Sequence, residues 1–404
     1  MRPPLTRRRL LGVAGGSLLG GYLLGPRAGG SDHADPAVDG EWLHPRADSR
    51  NVASTADPGP GNDGRVEWEQ TLEARRRYEH AGLVSVDDTL LVPTHQSLQA
   101  LDAETGTKRW QYTYQRQRQS TRRNGSTQLD SEPQVRDGVV YLVFQTAVCA
   151  LDLETRRLRW RYTLNSSADG CWLFGNTLYV TARVDSGYRL VALDAETGLE
   201  RWRRTARDSV LAADSGLVVV ADYDAGRVTG LATETGTERW VSDTAVSASS
   251  LSRGEVVLVD DHVFVITADG DLTALEAATG DRRWTVSGGT DEHTAMDSLA
   301  VDPSSRAVYW SRTGEGTIAR FDVAGESVWE ADWNSLEFGV SVGSETVYAS
   351  TANGLLALEA DTGDERFRVS PVSVGDSSPG CTPLIAGNQV YHCLGETIYE
   401  VDSR

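Results

Sequence analysis

The phrase A-L-D-A-E-T-G-T-K-R-W at Ala100–Trp110 returns almost unchanged at Ala192–Trp202 as A-L-D-A-E-T-G-L-E-R-W, and looser copies end at Trp160, Trp240, Trp284, Trp329 and Phe367. A fixed self-similar period constrains a fold more than any composition does. Each copy is one supersecondary unit that cannot bury its apolar face alone, so the units must stack into a single array.

From Val66 onward the pattern is strand-like throughout. Thr89–Thr94, Val139–Gln145, Thr177–Ala182, Leu217–Ala221, His262–Thr267 and Thr346–Ser350 are short, β-branched and aromatic, and are bounded by Asp-Gly, Gly-Asn, Asp-Ser-Gly or Asp-Asp turn signals. Beyond the N-terminal segment nothing sustains a helical period. Each repeat divides into four strands, most plainly Gly254–Val259, His262–Thr267, Asp271–Ala277 and Arg282–Ser287. Short antiparallel strands repeated in fours describe the blades of a propeller.

Seven units are complete. After Phe367 come only Cys381–Ala386, Gln389–Leu394 and Glu396–Asp402, while a lone strand, Val66–Thr71 with Trp68, precedes the first full unit. The expected fold is therefore all-β: an eight-bladed β-propeller of four-stranded antiparallel blades. Strand 66–71 completes the C-terminal blade and removes a free sheet edge; seven blades are the fallback.

Within the motif A-x-D-x-x-T-G-x-x-x-W, Gly permits a positive φ in the turn, and Asp and Thr can bond turn backbone. The aromatic residue is large enough to fill the space between adjacent blades. Trp68, Trp110, Trp160, Trp202, Trp240, Trp284, Trp329 and Phe367 are thus read as structural docking residues. Copies that deviate, at Thr155-Arg156 (Gly lost), Ala232 (for Asp), Ala324-Gly325 (shortened turn) and Phe367, are expected to be locally weak.

This motif closely resembles the tryptophan-docking repeat of the pyrroloquinoline quinone (PQQ) propeller superfamily, and the resemblance spans nearly all of Trp42–Arg404. The superfamily includes eight-bladed quinoprotein alcohol dehydrogenases and non-catalytic BamB-type assembly lipoproteins. The segment Trp42…Arg46-x-Asp48-x-x-Asn51 is similar to the stretch that commonly precedes their first blade. The resemblance implies the fold; function must be argued from a site. Quinoprotein dehydrogenases of this superfamily commonly carry a vicinal Cys-Cys pair and calcium ligands. No Cys-Cys occurs in this sequence, and no residues can be assigned as the ligands. The seven histidines form no H-E-x-x-H, and neither a G-x-S-x-G elbow nor a P-loop is present. No catalytic or metal-binding residue is expected, and PQQ with calcium is kept as the alternative cofactor.

Charge narrows the partners. The formal net charge is -19, and Lys108 is the only lysine. Such a surface repels nucleic acid and anionic lipid, and suits high salt, where screening suppresses self-repulsion. A salt-loving archaeon is one reading; an ordinary acidic protein from a GC-rich genome is the other. Thr6-Arg7-Arg8-Arg9-Leu10-Leu11 fits a twin-arginine export signal. The apolar run Leu10–Leu24 is short for a membrane span, and small residues near Ala28–Ala34 permit cleavage. The expected organisation is a signal segment (1–30), a flexible linker and lead-in (31–64), and the propeller (65–404). The protein is expected to be exported, extracellular or surface-associated, and monomeric.

Against this acidic background the connections between blades are locally basic: Arg75, Arg76 and Arg77; Arg116, Arg118, Arg122 and Arg123; Arg203, Arg204 and Arg207. One reading is a positive arc that docks a protein or an acidic surface polymer through forked guanidinium contacts. The other is pairing of these arginines with nearby carboxylates. Export also permits disulfides. Cys381 and Cys393 flank a Gly387-Asn388 turn and could pair; Cys149 and Cys171, in neighbouring repeats, are a second possibility beside buried free thiols. The functional expectation is a non-enzymatic binding or assembly scaffold. The alternatives are a PQQ-dependent oxidoreductase and an anionic-glycan-binding module.

Overall fold

The computed structural model describes residues 40–72, 82–114, 129, 131–164, 167–184, 187–205, 208–222, 225–246, 255–288, 297–333, 335–372 and 380–403. They build eight sheets, each of four antiparallel strands. The first seven blades occupy residues 84–113, 134–163, 168–205, 208–242, 256–286, 298–332 and 336–369, with strands in sequence order. The eighth joins Leu384–Ala386, Gln389–Leu394 and Thr397–Asp402 to the N-terminal strand Arg65–Thr71, which pairs antiparallel with Thr397–Asp402. The two ends of the chain thus close the ring. Around most of the circumference the first strands of neighbouring blades lie against each other and form the inner wall.

Burial follows from this stacking. Middle strands are covered by blades on both sides, so Val139–Phe144 and Thr346–Thr351 are buried at every position. Outer strands have one covered face, and Lys108–Thr113 alternates between exposed and half-buried. This difference explains why the middle strands read as continuous apolar runs and the outer ones as period-two patterns.

The blades are fastened by the aromatic residue of the motif. The indole of Trp160 lies over Gly198 of the next blade, where a Cβ would fall 2.6 Å from the ring. Its Nε1–H donates to the Ala195 carbonyl at 2.8 Å. Trp68, Trp202, Trp240, Trp284 and Trp329 repeat the arrangement over Gly106, Gly236, Gly280, Gly325 and Gly363. Their indole N–H groups donate to Ala103, Thr233, Ala277, Val323 and Ala360 at 2.8–3.1 Å. Gly198 has φ 69° and Gly236 φ 67°, so glycine is required twice over, by backbone conformation and by the ring on its face. In three blades a tyrosine O–H shares the same acceptor: Tyr141 at Ala195, Tyr309 at Ala360 and Tyr391 at Ala103.

The deviating copies are accommodated by specific contacts. Arg156 keeps the positive φ of the missing glycine, 59°, and its guanidinium lies 5.9 Å over the Trp110 ring. A cation–π contact thus takes the place of the glycine seat. The shortened turn still seats Gly325 under Trp284. Phe367 packs on Gly64, just ahead of the closing strand, which stands where the turn glycine of an eighth blade would be.

A recurring bulge sets the aromatic residue in place. The ladder shifts register between Ala100 and Leu101, leaving Arg109 as the extra residue beside Trp110. Arg109 forks onto Asp88 and Asp102, each at 2.6 Å. Arg159–Asp152, Arg201–Asp194, Arg283–Glu276 and Arg366–Glu359 repeat the pairing with the acid that opens the turn. These pairs are half to largely exposed, so solvent screens them and they shape the turn more than they stabilise it.

Gly198→Ala should lower equilibrium unfolding stability by roughly 1–3 kcal/mol, through a clash with Trp160 and a strained φ. Trp160→Phe keeps a ring but loses the bond to Ala195, and should cost about 1 kcal/mol. Denaturant midpoints at unchanged m-value test both.

Candidate functional site

The inner wall of the ring is lined by the chain itself. Residues 40–60, read from composition as part of a linker, follow the inner wall and bond to all eight blades. Trp42 exchanges two backbone hydrogen bonds with Ser85 of blade one. Val135 of blade two donates to the Leu43 carbonyl at 2.8 Å. The Ser49 carbonyl accepts from Trp172 Nε1 of blade three (2.7 Å) and from Ala213 N of blade four (2.8 Å). Leu258, Val301 and Val342 of blades five, six and seven donate to Arg50, Val52 and Ala53. The Asp57 carboxylate accepts from Gly387 N of blade eight at 2.9 Å and from Gly40 N at 3.0 Å.

The linker reading therefore fails for these residues, for a physical reason. Gly, Pro, Asp and Ser disfavour regular structure, but they allow a path that bends round the inside of a ring. Ala47, Asn51 and Ala53 take φ of 70°, 68° and 52°, a conformation that costs a non-glycine residue roughly 1 kcal/mol and persists only where surroundings enforce it. Trp42, Arg46, Asp48 and Asn51 are all buried. Asn51 Nδ2 donates to the Val256 carbonyl at 2.6 Å, and Ser54 Oγ to Val301 at 2.7 Å. Asp48 folds the path by accepting from Arg50 N and Nε.

Four ionisable side chains of this segment are buried: His44, Arg46, Asp48 and Asp57. Arg46 reaches the Leu299 carbonyl of blade six and Thr382 Oγ1 of blade eight, both neutral acceptors. Burial lowers its pKa to about 10, with the Glu132 carboxylate opposing the shift. His44 is 4% exposed; burial, then the field of Arg136, lowers its pKa to about 3. His44 is thus neutral at neutral pH.

Among the described residues no group of three or more His, Cys, Asp or Glu side chains is gathered as a metal would require. Among the described residues no helix is long and apolar enough to cross a membrane.

The basic residues are distributed differently from the sequence expectation. Arg203 and Arg204 lie within the outer strand Glu200–Thr205 of blade three, not in a connecting loop. Arg203 pairs with Glu200, and Arg204 donates to the Gly236 carbonyl of blade four at 3.2 Å. Arg75, Arg76, Arg77, Arg116, Arg118, Arg122, Arg123 and Arg207 lie outside the described residues. Cys381 and Cys393, with Cα atoms 5.5 Å apart, form a disulfide within blade eight. Cys149 and Cys171 are buried and not bridged; burial pushes the Cys149 thiol up to about 12.

His44 gives the interior a pH signature. Between its unfolded value near 6.5 and its folded value of about 3, the unfolded chain binds a proton that the folded chain refuses. Stability therefore falls as pH drops through that window, by at most about 1.4 kcal/mol per pH unit. His44→Gln should flatten this slope between pH 6.5 and 5, above the range where carboxylates titrate. Denaturation curves of parent and variant at three pH values measure it.

Comparison with known proteins agrees with the geometry. The family model described as outer membrane protein assembly factor BamB matches residues 30–171, 169–313 and 314–404. No curated protein sequence matches the chain. Among solved structures, BamB from Moraxella catarrhalis is similar at TM-score 0.61 and 17% identity, covering 83% of this chain and 99% of that one. A quinohemoprotein alcohol dehydrogenase from Comamonas testosteroni is similar at TM-score 0.64 and 15% identity, covering 90% of this chain and 80% of that one. A europium-containing methanol dehydrogenase gives TM-score 0.62 at 13% identity, covering 87% and 89%. At such identities these structures establish a shared fold and no shared chemistry. The repeat, the eight closed blades and a family match along almost the whole length lead to one conclusion: this chain belongs to the PQQ-like, BamB-type propeller family.

Proposed function

We propose that this protein is a non-enzymatic scaffold that binds other proteins in an assembly outside the cytoplasm. The observation that carries the reading is the lining of the inner wall by the chain's own residues 42–57, which bond to every blade. A ring whose inner-strand donors are met by its own chain leaves its faces and rim for other partners. The family description, an assembly factor, supports the same reading. The N-terminal Arg7-Arg8-Arg9 segment supports export by the twin-arginine route, and the net charge of -19 disfavours nucleic acid as a partner.

The partner is an acidic protein or acidic surface polymer, held by the arginine-bearing connections at 75–77 and 116–123. Guanidinium groups fork onto carboxylate and sulfate, and clustered positive charge in an acidic molecule steers such a partner to one place. Oxidoreductase chemistry is the competing reading, favoured by the fold shared with the two dehydrogenases.

Two measurements separate these. Cross-linking on intact cells should recover an acidic partner, and the quadruple variant R116S/R118S/R122S/R123S should reduce recovery at least about tenfold. Recovery unchanged by the variant overturns the arginine site. Reconstitution with PQQ and calcium in high salt should give no alcohol-dependent dye reduction; turnover that requires PQQ overturns the scaffold.

A further inference from the structure

We infer that the inner wall of the ring is a peptide-binding site, and that residues 40–60 are its ligand in cis. This assignment stands apart from the arginine-bearing loops and does not rest on them.

The chemistry of the contact is that of peptide recognition. Inner strands present backbone N–H groups toward the axis, and five of them, at Val135, Ala213, Leu258, Val301 and Val342, donate to the carbonyls of Leu43, Ser49, Arg50, Val52 and Ala53. Each donor sits near the end of its inner strand, so the ring repeats one donor position from blade to blade. Main-chain bonds of this kind hold a peptide without regard to side chains. Selectivity comes from a few buried groups. The Asn51 amide reaches Val256, Ser54 reaches Val301, and Arg46 spans from Leu299 to Thr382. Trp42 is 1% exposed, in the cluster shared with the closing blade.

The segment is also separable from the ring in its connectivity. It belongs to no sheet of the propeller. Its positive-φ positions at Ala47, Asn51 and Ala53 lie in turns of the segment, where Asn51 N donates to the Asp48 carbonyl and Ala53 N to the Arg46 carbonyl. Residues 61–63, which tether it to the closing strand, are exposed. The tether therefore supplies effective concentration and no contact. The ligand class that follows is an irregular peptide with the pattern Trp…Arg-x-Asp-x-x-Asn, which bends at small or amide residues and turns its carbonyls outward.

The test keeps the full chain. A protease recognition sequence is inserted at Asn62-Asp63, the protein is purified folded, and the tether is then cut. The N-terminal fragment should co-elute with the propeller on gel filtration. A labelled synthetic peptide of residues 40–61 should exchange into the nicked ring. The same peptide carrying R46A and N51A should compete at least tenfold more weakly. Release of the fragment from a propeller whose thermal midpoint equals that of the uncut protein overturns the inference. A second measurement needs no insertion. In the unmodified chain the amides of Val135, Ala213, Leu258, Val301 and Val342 should exchange with deuterium as one group, by a local opening, ahead of the middle-strand amides. Exchange of all five only through global unfolding overturns it.

Discussion

Everything in this molecule depends on an indole ring laid across the turn of the next blade. A four-stranded sheet with two apolar faces is insoluble alone, and its partners must lie at a fixed distance and angle. The ring sets both. Its face needs a residue with no Cβ beneath it, and its N–H needs a carbonyl at one place, so Trp160 can dock only on a turn shaped like Ala195–Gly198. Repeating one directional contact makes the relation between successive blades nearly constant, and a constant rotation closes into a ring. The bulge beside each aromatic residue belongs to the same device. It turns the preceding arginine outward to the acid that shapes the turn, as Arg109 does with Asp102.

Closure creates two further demands, and the N-terminal part of the chain meets both. The last blade lacks a strand, which Arg65–Thr71 supplies. The inner strands leave backbone donors facing the axis, and buried N–H groups without acceptors would cost about 1–3 kcal/mol each. Residues 40–60 supply acceptors around the whole circumference. Strain at Ala47, Asn51 and Ala53 is offset by these bonds, and the interior can then hold Arg46 and neutral His44.

Much of the fold was legible in the linear pattern because the signals are local. Turn glycines, alternating strands and one aromatic residue per repeat lie within a few dozen residues of each other, and the missing and surplus strands at the ends implied the closing blade. The interior was not legible in the same way. Trp42, Arg46, Asp48 and Asn51 stood out as a pattern, yet their surroundings are Ser85, Leu299, Thr382 and Val256, up to 336 residues away. A cue was present: Trp42, Leu43, Val52 and Ala53 are apolar residues that a solvated linker does not need. Arg203 and Arg204 show the converse. Clustered charge suggested a loop surface, whereas strand alternation directs them to Glu200 and to the neighbouring turn.

The sequence by itself determined the class of fold, the number of blades and the way the ring closes, because these follow from periodicity and from which strands are present. It also determined the acidic balance of the chain, with a formal net charge of -19. Tertiary packing was needed to show that residues 42–57 line the inner wall, that Arg156 replaces a glycine by covering Trp110, and that Trp42, Arg46 and Asn51 are core and not tether. The reason is geometric. A hydrogen bond between residues far apart in the chain leaves no local trace, and a segment whose conformation is set by a wall cannot be read until the wall has formed.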